Sequence, residues 1–193
     1  MYKKIAVSNR KIFFSHHTKS STTDFVNHLA ELCKIVDFII LREKDLSLID
    51  YKKLASTVIN RCNGKKTQVI LHSHIDCCHE LNYKKIHLPL PIFTENLKML
   101  KDFETVGVSV HSLEQAIFAE KNNASYIIYS HIFQTDCKKD LPPKGLSALK
   151  EICDSVNIPV YALGGITDEN ESSVIAAGVS GTCRMSDYMV KNI

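Results

Sequence analysis

Residues 126–139 read YIIYSHIFQTDCKK, an apolar run that gives way at His131 to polar and cationic residues. The apolar part is rich in aromatic and β-branched residues, which predicts a buried strand over Tyr126–Ser130. A parallel barrel carries its functional side chains at the carboxyl ends of its strands, so His131 lies where a catalytic or binding group is expected. Residues 159–167, PVYALGGIT, repeat the design with Gly164 and Gly165 in place of the histidine. Paired glycines allow backbone N–H groups to approach a ligand closely.

The same alternation of short apolar strands and amphipathic helices runs through the whole chain. It predicts a (β/α)8 TIM barrel forming a single domain over residues 1–193. The predicted strands are Ile5–Ser8, Phe38–Leu41, Gln68–His72, Lys85–Leu88, Thr105–Val110, Tyr126–Ser130, Val160–Leu163 and Thr182–Met185. The predicted helices are Thr23–Val36, Leu46–Asn60, Thr94–Asp102, Leu113–Asn122, Leu146–Ser155 and Asp168–Ala177. Ser112 and Thr167 are the predicted N-caps of two helices, and Gly178 is the residue expected after the end of the last long one.

A chain of 193 residues is short for such a barrel, which predicts short helices and a truncated C-terminal helix. The last helix has barely two turns before Ile193, and a homodimer would cover the last seam of the barrel. The net charge of +3 comes from 24 basic and 21 acidic residues spread along the chain, which argues against nucleic-acid and membrane partners. No apolar run is long enough for a membrane span. Seven cysteines without a signal peptide predict reduced thiols and a cytoplasmic protein.

Histidines follow several of the predicted strands: His72 and His74 the third, His87 the fourth, His111 the fifth and His131 the sixth. A single histidine there is often a hydrogen-bonded residue at the barrel mouth, but several on one face favour a functional site. A zinc site would use a different set, namely His72, His74, Cys77, Cys78 and His79. This set has no regular Cys-x-x-Cys pair and spans a strand end and a helix start, so we expect no metal.

Four segments carry a family resemblance: GVSVHSLEQA at 107–116, YSHIFQTDCKK at 129–139, GGI at 164–166 and GVSGTCRMS at 178–186. With them, the chain resembles the TenI branch of the thiamine phosphate synthase/TenI superfamily. The match is strong from Val106 onward and weaker before it, where Arg42-Glu43-Lys44 and Ile86–Pro89 resemble family segments. The resemblance implies the same barrel and one of two activities in thiamine biosynthesis.

The first activity is that of thiamine phosphate synthase, a transferase that joins a pyrimidine pyrophosphate to a thiazole phosphate with the help of Mg²⁺. The resemblance implies that carboxylates after the third and fourth strands hold the metal ion. Here the matching stretches read His72-Ser73 and HLPLPI at 87–92, so both positions lack their acids. Mg²⁺ prefers hard oxygen ligands, and Asp76 alone is a poor substitute. The synthase is therefore the alternative interpretation.

The second activity is that of a thiazole tautomerase, an isomerase that moves a proton to make a thiazole phosphate carboxylate aromatic, without metal or cofactor. His131 occupies the position of the family's catalytic histidine, where the synthase branch has proline, and its pKa range suits an acid or base. On these grounds the sequence favours the tautomerase. A noncatalytic, regulatory barrel that binds thiazole phosphate is a further alternative, although the chain has neither a basic stripe nor a helix-turn-helix segment.

The predicted ligand is a small phosphorylated thiazole, and the predicted phosphate site lies after the last two strands. The candidate substrate- and phosphate-binding residues are Arg42, Lys44, Ser109, His111, Thr135, Lys139, Gly164, Gly165, Met185 and Ser186. Arg42 can pair with a substrate carboxylate or with the neighbouring Glu43 or Asp37. Ser130 replaces a family glycine beside His131, and Arg184 replaces an apolar residue, so burial of its guanidinium would require a partner.

Overall fold

Eight strands close into a barrel, in which each strand lies beside its sequence neighbours in the order β1 to β8. The computed structural model describes residues 2–135 and 141–191. The strands are β1 (Lys3–Val7), β2 (Phe38–Leu41), β3 (Gln68–His72), β4 (Lys85–Pro89), β5 (Thr105–Val110), β6 (Tyr126–Ser130), β7 (Val160–Leu163) and β8 (Gly181–Arg184). The predicted (β/α)8 fold class is confirmed. Strands β2, β3, β5, β6 and β7 have their predicted bounds, and β1, β4 and β8 differ from theirs by one or two residues.

Short helices follow the strands, as predicted. They are α1 (Arg10–His16), α2 (Thr22–Leu32), α3 (Leu48–Cys62), α4 (Ile75–Glu80), α5 (Leu90–Glu95), α6 (Leu113–Lys121), α7 (Gly145–Ser155), α8 (Glu171–Ala176) and α9 (Ser186–Val190), with a 3₁₀ turn at Met99–Asp102. Helices α1 and α4 were not predicted from the sequence. Helix α1 buries only Phe13, so its sequence shows no helical apolar period. Its start is fixed by Asn9, whose side chain accepts a hydrogen bond from the Ile12 N–H.

Several details of the predicted helices are wrong, and two are confirmed. Helix α2 ends at Leu32 and not at Val36, and α8 begins at Glu171 and not at Asp168. The predicted helix Thr94–Asp102 is instead α5 followed by the 3₁₀ turn, because a proline in the first turn lets the helix begin at Leu90. Thr167 is not an N-cap, since Asn170 precedes α8 and its Oδ1 accepts the Thr167 N–H at 2.9 Å. Ser112 caps α6 by accepting the Gln115 N–H. Gly178 follows the C-cap residue of α8 with a φ of +97°, as a glycine at that position allows.

The chain divides into two compact units, Met1–Lys3 with His87–Cys183 (unit 1) and Lys4–Ile86 with Arg184–Ile193 (unit 2). In unit 1 the parallel register places Val108 beside Ile127, and Ile127 beside Val160. In unit 2 it places Ile39 beside Val69. These side chains are almost fully buried, so each unit has a strand-centred core. The single domain over residues 1–193 stays a prediction.

The C-terminal helix α9 is short, as predicted, and belongs to unit 2. The His28 ring, on α2, donates from Nε2 to the Tyr188 carbonyl at 2.6 Å and so ties α9 to the unit. The Arg184 guanidinium has the partner that its burial requires, because Asp187 lies 3.3 Å away. The homodimer stays a prediction. No helix in the described ranges is both long and apolar enough to cross a membrane.

Candidate functional site

In unit 2, a buried carboxylate joins the carboxyl ends of β1 and β2. The Ser8 hydroxyl donates to Glu43 Oε1 at 2.5 Å, and the Arg10 backbone N–H donates to Glu43 Oε2 at 3.0 Å. Ser8 Oγ also accepts the backbone N–H of Arg42 at 2.9 Å. Glu43 is 3% exposed, and burial is the main reason that its pKa is raised. Both carboxylate oxygens are therefore held by donors from the end of β1 and the start of α1.

Arg42 follows the last residue of β2 and is half-buried. Among the residues that the structure describes, its guanidinium has no hydrogen-bond or ion-pair partner. The two partners considered from sequence are engaged elsewhere, since Glu43 binds Ser8 and Asp37 accepts the Lys4 N–H at 3.0 Å. Lys44 lies exposed in the turn that follows. Arg42 is thus a cation whose charge is available to an anionic ligand.

The end of β3 carries a different network. The Tyr51 hydroxyl donates to the Leu41 carbonyl at 2.7 Å and accepts the His72 backbone N–H at 2.8 Å. His72 is buried, and its Nδ1 lies 2.7 Å from the Ser73 hydroxyl. The His74 ring packs against Tyr51 at a centroid distance of 4.4 Å, and burial lowers its pKa. The charge of Asp76 opposes the effect of burial on the His74 pKa but does not outweigh it.

In unit 1, the side chains of His87 on β4 and Ser109 on β5 lie within hydrogen-bond distance of each other. The Nε2 atom of His87 lies 2.8 Å from the Ser109 hydroxyl, and its Nδ1 atom lies 3.2 Å from the Tyr126 hydroxyl. Burial lowers the pKa of His87 to about 3, so the ring is neutral at pH 7. Gly107 provides room for Tyr126, because a Cβ at position 107 would lie 2.0 Å from the Tyr126 ring. Ser109, a predicted substrate contact, thus places its hydroxyl on a buried histidine.

His111 and His131 both lie next to the peptide that follows β6. His111 donates from Nδ1 to the Ser130 carbonyl at 2.9 Å, and its own backbone N–H donates to the Gln115 side chain at 2.7 Å. The His131 ring is buried and donates from Nε2 to the Leu141 carbonyl at 3.2 Å. Because a carbonyl oxygen only accepts, both rings carry hydrogen on these nitrogens. In their neutral forms, each ring keeps a lone pair on its other nitrogen. The roles predicted for these two histidines stay predictions.

Gly164 and Gly165 follow β7 with φ values of +108° and +65°. A Cβ at Gly164 would lie 2.4 Å from His131 Cβ, and one at Gly165 would lie 2.5 Å from the Gln134 carbonyl oxygen. Two backbone hydrogen bonds join the segments, from Ile132 N–H to Leu163 and from Phe133 N–H to Gly164. The glycines thus let the chain's own segment 131–134 approach them closely. Phosphate binding by this pair stays a prediction.

The remaining predicted residues have less defined surroundings. Thr135 is half-buried at the end of the described segment, and Lys139 lies outside the described residues. In unit 2, Met185 accepts a hydrogen bond from the Asn9 side chain at its sulfur, at 3.7 Å. Ser186 is exposed and is the first residue of α9. Met185 and Ser186 belong to unit 2 and the two glycines to unit 1, and phosphate binding by Met185 and Ser186 stays a prediction.

The metal that the family resemblance implies can be tested on the side chains present. At the predicted positions, His72 and Ser73 bond to each other in unit 2, and the apolar start of α5 (Leu90–Glu95) follows β4 in unit 1. Neither offers the hard oxygen ligands that Mg²⁺ requires, so these residues do not fit the ion. Burial raises the pKa of Cys78, a candidate zinc ligand, to about 12. Over residues 2–135 and 141–191, no group of three or more His, Cys, Asp and Glu side chains is arranged to hold a metal.

Sequence comparison decides the family. The sequence model of the thiamine monophosphate synthase family matches residues 12–188. The chain belongs to this family. It is 33% identical over 191 residues to the thiamine-phosphate synthase of Clostridium acetobutylicum, covering 97% of this chain and 87% of that protein. It is 37% identical over 159 residues to the putative thiamine-phosphate synthase 2 of Aquifex aeolicus, covering 82% and 86%.

The fold of the thiamine monophosphate synthase family is also found among solved structures. The thiamine phosphate pyrophosphorylase from Pyrococcus furiosus matches with a TM-score of 0.78, over 98% of this chain and 88% of that chain. The sequence identity is 23%, so this likeness supports the fold alone.

The prediction of a thiazole tautomerase, and hence of an isomerase, is wrong. The relatives of this chain are named thiamine-phosphate synthases, which are transferases, and the similarity extends over most of their length. The prediction relied on His131 and on two missing acids. A few strand-end positions can change while the fold and the rest of the site are kept, so they say less about the branch than similarity along the whole chain. The TenI branch is accordingly not shown, whereas the superfamily is.

The residues that organise the strand ends were not predicted from the sequence. Glu43 was considered only as a partner of Arg42, and Tyr51 and Tyr126 were not considered. A signal for Glu43 was present, because it lies two residues after an apolar strand, where a parallel barrel carries its functional side chains. No such signal marks Tyr51, whose position on the buried face of α3 resembles that of any core aromatic residue.

Proposed function

We propose that this protein is a thiamine-phosphate synthase. In this reaction the nitrogen of a thiazole phosphate forms a bond to the exocyclic carbon of a pyrimidine diphosphate ester. The bond from that carbon to oxygen breaks, and pyrophosphate leaves with the bonding electrons. The observation that carries the proposal is the 33% identity to a thiamine-phosphate synthase over 97% of this chain and 87% of that protein.

The surroundings of Arg42 support the binding of the anionic substrate in unit 2. Its guanidinium has no partner among the described residues, and a planar guanidinium can bind two phosphate oxygens at once. Negative charge develops on the leaving diphosphate as the carbon–oxygen bond breaks. A fixed positive charge at this point stabilises the transition state more than the ground state.

In unit 1, we assign the small phosphorylated thiazole to the strand ends around Gly164 and Gly165. Barrels of this class commonly bind phosphate after their seventh and eighth strands, where backbone N–H groups are available. The Asn170 side chain steadies this loop, because its Nδ2 donates to the Gly165 carbonyl and its Oδ1 accepts the Thr167 N–H, both at 2.9 Å. A loop held in one conformation binds phosphate with a smaller loss of entropy.

The test is the formation of thiamine phosphate from the pyrimidine diphosphate and thiazole phosphate, followed by chromatography. Because the residues at the family's metal positions do not fit Mg²⁺, the assay is run both with Mg²⁺ and with a chelator. Arg42→Met should lower kcat/KM by about 10- to 100-fold, the usual cost of losing a charge-assisted contact to phosphate. Arg61→Met is the matched control, since Arg61 lies at the end of α3 and bonds only to Asn27 in the described part of the chain.

A second candidate function is binding of the phosphorylated thiazole without turnover. The observation that favours it is that neither stretch at the family's carboxylate positions contains an acid: one reads His72-Ser73, whose side chains bond to each other, and the other reads HLPLPI at 87–92. The same assay separates the two. Product in either metal condition, reduced by Arg42→Met and not by Arg61→Met, supports the synthase. Thiazole phosphate binding without product in both conditions refutes it and supports the binding protein.

A further inference from the structure

Glu43 is the one carboxylate that is buried within residues 2–135 and 141–191. Burial of a carboxylate is costly unless donors surround it, and here both oxygens accept hydrogen bonds, from the Ser8 hydroxyl and the Arg10 backbone. Neither bond comes from a group that the proposed reaction uses. Both donors lie at this strand end, Ser8 directly after β1 and Arg10 at the start of α1.

The Ser8 hydroxyl connects Glu43 to Arg42. It donates its only hydrogen to Glu43 at 2.5 Å and accepts the Arg42 backbone N–H at 2.9 Å. The carboxylate thus fixes the rotation of the hydroxyl and points the lone pair of Ser8 at the Arg42 amide. Ser8 itself is fully buried and is anchored to β2, since its own N–H donates to the Ile40 carbonyl at 2.9 Å.

The surrounding charges leave the Arg42 side chain outside this network. The Arg10 guanidinium bonds to Asp45 at 2.5 Å, and its Nε atom lies 4.0 Å from Glu43. Lys11 also lies 3.4 Å from Asp45. Arg10 and Lys11 are therefore compensated by the two acids. Of Arg42, only the backbone N–H takes part in this network.

We propose that Glu43 is a positioning residue, which holds the Arg42 backbone through Ser8 so that the guanidinium is presented to the substrate diphosphate. The inference rests on the proposed function, in which Arg42 binds that group. Glu43 touches no substrate in this role. It lowers the cost of binding because it removes alternative backbone conformations of Arg42 before the ligand arrives.

The test is a double-mutant cycle of Arg42→Met and Glu43→Gln, with the affinity for inorganic pyrophosphate measured by calorimetry and the kinetics by thiamine phosphate formation. Glu43→Gln should weaken pyrophosphate binding by about 5-fold or more in the wild-type background and by less than about 2-fold in the Arg42→Met background. It should raise the KM for the pyrimidine diphosphate by a similar factor. A merely structural loss would lower the thermal midpoint but would weaken binding equally in both backgrounds.

Asp45→Asn is the matched control, because it removes one negative charge from the same loop without touching Ser8. It should leave pyrophosphate affinity within about 2-fold of the wild type. Ser8→Ala removes the hydroxyl that links Glu43 to the Arg42 N–H, and it replaces Glu43→Gln in the cycle if that variant does not fold. Equal effects of Glu43→Gln in both backgrounds, or an equal effect of Asp45→Asn, would overturn the inference.

The cycle also separates this inference from the proposed function. Pyrophosphate binding by the wild type without thiamine phosphate formation refutes the synthase, and the cycle can still be read from the affinities. Product formation with additive effects overturns the positioning role alone. A wild type that neither binds pyrophosphate nor forms product overturns both.

Discussion

Replacing Gly165 with alanine tests the close contact between the end of β7 and the segment after β6. The new Cβ would lie 2.5 Å from the Gln134 carbonyl oxygen and 2.8 Å from Phe133 Cβ. A side chain can relieve such an overlap by changing its rotamer, but a backbone oxygen cannot, so segment 131–134 must move. Gly64 offers a matched control, because its φ of +74° is close to the +65° of Gly165 and nothing lies within 4 Å of the place that an alanine Cβ would take there.

The pair of variants separates backbone strain from steric overlap. An alanine with positive φ costs about 1 to 2 kcal/mol, and both variants carry this term. Overlap in a packed region adds about 1 to 3 kcal/mol, and only Gly165→Ala carries it. We therefore expect Gly64→Ala to lower the free energy of unfolding by about 1 to 2 kcal/mol and Gly165→Ala by about 2 to 5 kcal/mol.

Equilibrium unfolding in urea, followed by circular dichroism and fluorescence together, measures both values under a two-state check. Gly165→Ala should also lower synthase activity in the folded protein, because it alters the strand end to which the thiazole phosphate is assigned. Equal destabilisation by the two alanines would refute the reasoning, since it would mean that steric overlap with segment 131–134 adds nothing to the loss of unfolding free energy.

Two further predictions concern buried polar groups. Tyr51→Phe removes a hydroxyl that bonds to both the Leu41 carbonyl and the His72 N–H, so it should lower the free energy of unfolding by about 1 to 3 kcal/mol in urea titrations; an unchanged midpoint would contradict this. His87 has a pKa of about 3 in the fold, whereas an unfolded histidine titrates near 6.5, so the unfolded chain takes up a proton first as the pH falls. As the pH falls from 6.5 to 3, this group should lower the free energy of unfolding by about 1.4 kcal/mol per pH unit. In urea titrations at pH 4 to 7, His87→Gln should remove this contribution to the slope of the free energy of unfolding against pH. A slope that is the same in both proteins would show that the ring is not held neutral.

The strands were predictable because their signal is local. Strand β6, Tyr126–Ser130, begins with four aromatic or β-branched residues, and the polar residues that follow mark its end. Strand β1 begins two residues earlier than predicted, because Lys3 and Lys4 carry no apolar signal and yet their backbone can pair, as the bond from Lys3 N–H to the Ser180 carbonyl shows. Helix α1 buries a single residue, so its sequence carries no apolar period that would predict a helix.

The candidate site was predictable in its positions and not in its contacts. The sequence marked Arg42, His131 and the glycine pair as strand-end groups. It could not show that Arg42 lacks a partner among the described residues, or that Glu43 is occupied by Ser8. The hydrogen bonds of Ser8 with Arg42 and Glu43 join residues 34 and 35 positions apart in the sequence. No local sequence pattern predicts which polar groups form such distant contacts.

The sequence by itself determined the alternation of strands and helices, the barrel and the superfamily, because local propensity and similarity along the chain are properties of residue order. Tertiary structure alone decided what the glycine pair approaches and which groups share a hydrogen bond. Gly164 and Gly165 were expected to admit a ligand, and the fold brings segment 131–134 against them. Close approach, burial and hydrogen bonding depend on distances between residues far apart in sequence, and only the folded chain sets those distances.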